Sequence, residues 1–237
     1  MAFWDADTIR FMIDACEYAP YNRELAAYIG PRLAPGAHVC DAGCGLGYLS
    51  LELARHAGRV TAVDRSPEAL AVLRRNCAAR GIGNVDIRCG EVGDTPPETP
   101  YDAMVFCLFG GGVEGLRIAA AQCRGEAFMV LRDERAGRRH GGTPSYVGYR
   151  ETCRLLERLE VPFAGETRSL ELGQPFRSLE DARIFFRRYG WDDASPSDAA
   201  LCARLERTGR DDFPYYLRHA REVGILRLSA ADLPRGL

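Results

Sequence analysis

Asp41, Gly43, Gly45 and Gly47 stand at alternate positions of the run Val39–Tyr48, and a second acid, Asp64, closes the next apolar segment. Glycines in such a run let the backbone approach a ligand that any Cβ would block. Free N–H groups where a helix then begins favour acceptor atoms. A carboxylate ending the neighbouring strand can accept both hydroxyls of a ribose. In a doubly wound sheet those two strand ends lie side by side at the carboxyl edge, where ligands bind. The plainer alternatives are an ordinary strand-to-helix turn for the glycines, and a surface acid or helix cap for Asp64. A nicotinamide dinucleotide site uses the same logic, but its G-x-G-x-x-G frame would need a glycine where this chain has Tyr48.

These residues must be positioned by alternating strands and helices. The spacing predicts strands over 37–41, 59–64, 85–89, 102–109, 127–131, 164–172 and 225–228. It predicts helices over 48–56, 66–81, 113–123 and 145–159. Ser66-Pro67 is a helix start and Gly81 a natural stop. The nearly all-apolar 102–109 suits a strand buried on both faces. The first 30 residues read as two helices, one with Ile9, Met12, Ile13 and Cys16 on a face, the other with Leu25, Ala26 and Ile29. Helices are also expected over 178–189 and 197–208, with a third over 215–223. The whole is an α/β, doubly wound, mostly parallel seven-stranded sheet flanked by helices. It carries N-terminal helices and a helical insertion near the C-terminus.

The run D-A-G-C-G-L-G over 41–47, with Asp64 after it, resembles motif I and the following acid of the class I S-adenosylmethionine-dependent methyltransferases, whose fold is Rossmann-like. The resemblance covers roughly residues 37–132. It implies that Asp41 lies near the methionine end of the cofactor. The turn Gly43, Cys44, Gly45, Gly47 and Tyr48 would contact its methionine and ribose portions, and Asp64, followed by Arg65, its ribose. Glu91, with Val92, would reach the adenine amine. Cys107 and Leu108 would lie by the transferred methyl, and Tyr21 would cover the cofactor. It implies S-adenosylmethionine as donor and S-adenosylhomocysteine as product. On this reading 1–36 is a helical segment over the cofactor site and 37–175 the cofactor-binding core. Residues 176–223 form a helical cap that selects the acceptor, and 224–237 are the last strand and tail. A non-catalytic module that only binds the cofactor, or an NAD-dependent oxidoreductase, are the alternatives.

No obligate catalytic residue stands out, because a general base is needed only for an acceptor protonated at working pH. Phe109 sits where an acceptor would come, and Arg138, Arg139 and His140 follow the fifth strand in a cationic, glycine-bounded loop. That loop suits an anionic small-molecule acceptor. Exposed charge runs also serve solubility alone. The D/N-P-P-Y motif of nucleobase amino-methylating members is absent after the fourth strand, where the chain reads Cys107-Leu108-Phe109-Gly110.

Composition bounds the rest. A net charge of −2 provides no general field toward nucleic acid or membrane, and every one of the 31 basic residues is arginine. The nine cysteines are scattered, without zinc spacing, so no metal site is expected and a reduced cytoplasmic setting fits. No apolar run is long enough to span a membrane.

Overall fold

The computed structural model describes residues 4–94, 96–133, 147–189, 196–234 and 236. Its strands are β1 (His38–Ala42), β2 (Arg59–Asp64), β3 (Val85–Cys89), β4 (Tyr101–Cys107), β5 (Cys123–Arg132), β6 (Ala164–Glu171), β7 (Gln174–Phe176), β8 (Glu206–Arg207), β9 (Tyr215–Leu217) and β10 (Ala220–Ser229). Its helices are α1 (Ala6–Tyr18), α2 (Tyr21–Ile29), α3 (Tyr48–Leu53), α4 (Pro67–Arg80), α5 (Gly112–Gln122), α6 (Tyr149–Arg158), α7 (Leu179–Tyr189) and α8 (Asp198–Arg204). They divide into two compact units, a larger one of Asn22–Ser169 with Glu222–Leu237 and a smaller one of Met1–Tyr21 with Leu170–Arg221.

The larger unit holds the expected mixed α/β architecture, a seven-stranded sheet in the order β3-β2-β1-β4-β5-β10-β6. The strands from β3 to β5 run parallel, and β10 joins β5 antiparallel. The chain winds outward from β1 to β3, then returns to lay β4 on the other side of β1. The carboxyl ends of β1 and β4 therefore flank the point where the winding reverses, which is where such sheets bind ligands. Register brings Ala42 level with both Val63 and Phe106, and Asp64 level with Cys89.

Local chemistry sets these elements as the sequence implies. The Ser66 hydroxyl accepts the Ala69 N–H at 3.2 Å, Pro67 opens α4, and Gly81 ends it at φ 64°. In β4, Tyr101, Ala103, Met104, Val105 and Phe106 are all buried, so the strand lies between two layers. Small residues allow the close approaches. A Cβ on Gly224 of β10 would fall 2.0 Å from the Tyr149 ring of α6, and one on Gly115 of α5 would fall 1.6 Å from the Gly110 carbonyl oxygen.

The smaller unit has its own core of Phe11, Phe176, Ala182, Phe186, Leu201, Leu205 and Leu217. The buried Asp14 is held by both terminal nitrogens of Arg177. The reading of 176–223 as helical needs correction, because this unit also contains a three-stranded antiparallel sheet in the order β7-β9-β8. The expected helix over 215–223 is instead β9 and the start of β10. Tyr215, Tyr216 and Leu217 find partners in Phe176, Pro175 and Gln174, and that pairing outweighs the local helical pattern. The helix expected over 197–208 stops at Arg204, and Glu206 and Arg207 pair with Tyr216 and Tyr215. The N-terminal segment is divided too, since its first helix packs into the smaller unit while most of α2 belongs to the larger.

Alanine favours helices over glycine by roughly 1 kcal/mol. Gly115→Ala should nevertheless destabilise the protein, by about 1–3 kcal/mol, because the new methyl meets a backbone carbonyl that cannot turn away. Urea unfolding measures this, and an increase in stability would contradict the packing described.

Candidate cofactor site

The glycine turn joins β1 to α3 in a backbone shape that only glycine takes easily. Gly43, Gly45 and Gly47 have φ of 69°, 54° and 74°. A Cβ on Gly43 would fall 2.4 Å from the Phe109 ring, and one on Gly47 would fall 2.5 Å from Leu73 of α4. The Cys44 N–H donates to the Val63 carbonyl at 3.0 Å, which ties the turn to β2.

Asp64 makes the second tie. One carboxylate oxygen accepts the Gly45 N–H at 2.8 Å and the other the Ser66 N–H at 2.9 Å. Each carboxylate oxygen carries two lone pairs, so both keep capacity for a further donor. Beyond Asp64, the exposed Arg65 guanidinium stands 3.5 Å from the Glu91 carboxylate, bridging the ends of β2 and β3.

Asp41 is buried beneath the turn, where the Ser50 hydroxyl of α3 donates to it at 2.5 Å. Burial pushes its carboxyl up to about 6. The Ser50 bond pulls it back only in part, and the nearby Asp64 raises it further. Ser50 was not among the candidates read from the sequence. Its only signal there is a hydroxyl on the otherwise apolar start of a helix.

The structure thus gathers Asp41, Gly43, Cys44, Gly45, Asp64, Arg65, Glu91 and Phe109 around the carboxyl ends of β1 to β4. Cys107 ends β4 and Leu108 follows it, with φ 55°. Tyr48 and Val92 are buried. The Val92 side chain packs in the core and its carbonyl accepts from Gln122 at 2.7 Å. Burial pushes the Cys44 thiol well above its ordinary value, which disfavours the thiolate that nucleophilic chemistry needs. Tyr21 is buried at the first position of α2. Arg138, Arg139 and His140 lie outside the described residues. A separate cleft lined by Arg32, Asp102, Arg124 and Glu126 opens at the amino ends of β4 and β5, the opposite edge from the glycine turn. Among the described residues no cluster could hold a metal ion, and no helix is long and apolar enough to cross a membrane.

A carboxyl whose folded-state pKa lies above its unfolded value of about 3.9 binds more protons folded than unfolded between the two. Stability then falls as pH rises through that window, and the loss is complete above it. Asp41→Asn should cancel this dependence. Relative to the native chain, the variant should gain up to about 3 kcal/mol between about pH 4 and about pH 7. Denaturation of both proteins across that range measures the difference, and a constant difference would show that Asp41 titrates normally.

A family model described as a methyltransferase domain matches residues 39–127. A ubiquinone biosynthesis O-methyltransferase from Xanthomonas campestris is 38% identical over 109 residues, which is 45% of this chain and 43% of that protein. A 23S rRNA (uracil(1939)-C(5))-methyltransferase from Methylococcus capsulatus is 47% identical over 73 residues, 30% of this chain and 16% of that protein. The chain thus spans less than half the length of these relatives. Among solved structures, the YcgJ protein from Bacillus subtilis superposes with a TM-score of 0.56 at 14% identity, over 87% of this chain and 98% of that one. The glycine turn and Asp64 both fall within residues 39–127. Residues 39–127 thus match a methyltransferase domain, and the glycine turn within them resembles that of the class I S-adenosylmethionine-dependent methyltransferases.

Proposed function

We propose that this protein transfers the methyl group of S-adenosylmethionine to a small-molecule acceptor, the cofactor lying across the carboxyl edge from β3 to β4. The observation that carries the reading is the glycine turn held in left-handed geometry by Asp64, at the point where the sheet reverses its winding. Asp64 keeps a free lone pair on each oxygen for the two ribose hydroxyls. Glu91 stands one strand further out for the adenine amine, beside Arg65 and the Val92 backbone. Gly43, Cys44, Gly45, Gly47 and Tyr48 form the floor under the ribose and methionine portions, with Asp41 beneath. Cys107 and Leu108 border the methyl.

S-adenosylmethionine, when bound, supplies a methyl carbon made electrophilic by its sulfonium, and S-adenosylhomocysteine is what remains. The chain's own task is to hold donor and acceptor in line and keep water away. Such positioning can lower a barrier by up to roughly 7–11 kcal/mol. A small molecule is favoured as acceptor over nucleic acid by the relatives matched over the longer stretch and by the net charge of −2. A nicotinamide dinucleotide is disfavoured because the third glycine of its frame is replaced by Tyr48, already inside α3.

Calorimetry with S-adenosylmethionine, S-adenosylhomocysteine and NAD tests the reading. Saturable binding of both adenosyl ligands and none of NAD is expected, and the reverse pattern would overturn it. Asp64→Ala should weaken both adenosyl ligands about a hundredfold or more, since two charge-assisted hydrogen bonds are lost. A change within about twofold would remove Asp64 from the ribose site. Release of S-adenosylhomocysteine in the presence of phenols, carboxylates and amines, with RNA as a comparison, would identify the acceptor class.

A further inference from the structure

We propose that Phe109 is the sulfonium-binding residue of this site, its ring attracting the charged cofactor and not the neutral product. This rests on the cofactor reading above and adds a residue and a role to it.

The ring lies directly against the first glycine of the turn, since a Cβ on Gly43 would fall 2.4 Å from Phe109 Cγ. The backbone around it is held in uncommon shapes. Leu108 takes φ 55° without being glycine, and Gly110 and Gly112 follow at 63° and 70°. Strain of this kind persists only where the surroundings fix it. Here the Leu108 N–H donates to the Val130 carbonyl at 2.8 Å, and the Gly112 N–H to the Thr152 hydroxyl at 3.3 Å. The loop from Cys107 to Gly112 carries no charged side chain. Phe109 is its one aromatic group, half-buried against the core.

Strand order places the sulfur. Neighbouring strands are about 4.8 Å apart. Glu91 follows β3, Asp64 ends β2, Gly43 follows β1 and Phe109 follows β4, and these strands are consecutive in the sheet. With adenine at Glu91 and ribose at Asp64, the sulfur beyond the ribose C5′ would come one strand further, toward the Gly43 end of β1. That is where the ring lies. A cation within about 6 Å of an aromatic face is attracted by the ring's quadrupole. The sulfonium is such a cation, and the thioether left after transfer is not. The ring therefore holds donor more tightly than product and eases product departure. Asp41 and Asp64 also favour the cation, so the ring's share must be isolated by changing the ring alone.

The test is the ratio of dissociation constants for S-adenosylmethionine and S-adenosylhomocysteine, measured by calorimetry on the native chain, Phe109→Tyr and Phe109→Leu. Leucine keeps an apolar wall and removes the aromatic face. It should weaken S-adenosylmethionine by about threefold to thirtyfold and S-adenosylhomocysteine by less than about twofold, while tyrosine keeps the native ratio. Thermal melts establish that each variant is folded, and Phe109→Met reads the same ratio if the leucine protein is not. Equal weakening of both ligands would reduce the ring to a wall and overturn the proposal. Tighter binding of both would place the ring in the cofactor's own volume and also overturn it. Failure of the native chain to bind either ligand would overturn the cofactor reading itself.

Discussion

The Asp64 carboxylate accepts the Gly45 N–H through one oxygen and the Ser66 N–H through the other, and much of the site's geometry depends on those two bonds. Glycine loses more conformational freedom on ordering than any other residue, so a turn with three of them is costly to hold in one shape. Hydrogen bonds to an ionised acceptor are about twice as strong as neutral ones, which offsets part of that cost. The second bond fixes the start of α4, and α4 then sets Leu73 against Gly47. The turn is thus held at its middle by Asp64 and at its end by a helix that Asp64 also positions. Its first glycine is held separately, by the Phe109 ring. A ligand arriving at this turn meets a shape already formed, and little of its binding energy goes into ordering backbone.

The same compactness creates an electrostatic tension. Asp41 is buried, its partner is the Ser50 hydroxyl, and Asp64 stands near enough to disfavour its ionisation. Replacing it by a neutral group would relieve the tension, and so would a cation. A ligand bearing positive charge at the carboxyl end of β1 would stabilise the ionised form of Asp41, because an opposite charge nearby favours the charged state. A buried carboxylate without an arginine is a poor device for stability and a suitable one for binding a cation. Burial here therefore points in the same direction as the left-handed glycines.

The glycine turn and its tie to Asp64 were legible in the sequence because they are built from demands on the backbone. A positive φ calls for glycine, a strand end at the carboxyl edge calls for an acid, and a helix start calls for serine and proline. Each of these leaves a residue type at a fixed offset. The strand–helix alternation from Ala37 to Arg132 was legible for a related reason, since strands buried on both faces must be apolar throughout. The contacts that lock the turn were not legible. Leu73 against Gly47 and Phe109 against Gly43 join segments distant in sequence, and nothing local marks them. The smaller unit misled for the opposite reason. The stretch 215–223 has a helical pattern, but Tyr215 and Tyr216 pair with Phe176 and Pro175, and local preference yields to that pairing.

The acceptor side has no comparable local grammar, because an acceptor is recognised by side chains rather than by a backbone shape. A cofactor common to many enzymes imposes one turn on all of them. Acceptors differ, and the residues that meet them can come from any loop at the carboxyl edge. The smaller unit shows how little such a segment must declare. Phe11, Phe176, Phe186 and Leu201 are fully buried in its own core, and Arg177 is tied to Asp14. Most of its distinctive residues are thus accounted for by packing. A sequence whose aromatic and charged groups already satisfy one another carries few marks of what else it touches. The packing of the smaller unit therefore says little about what else it touches.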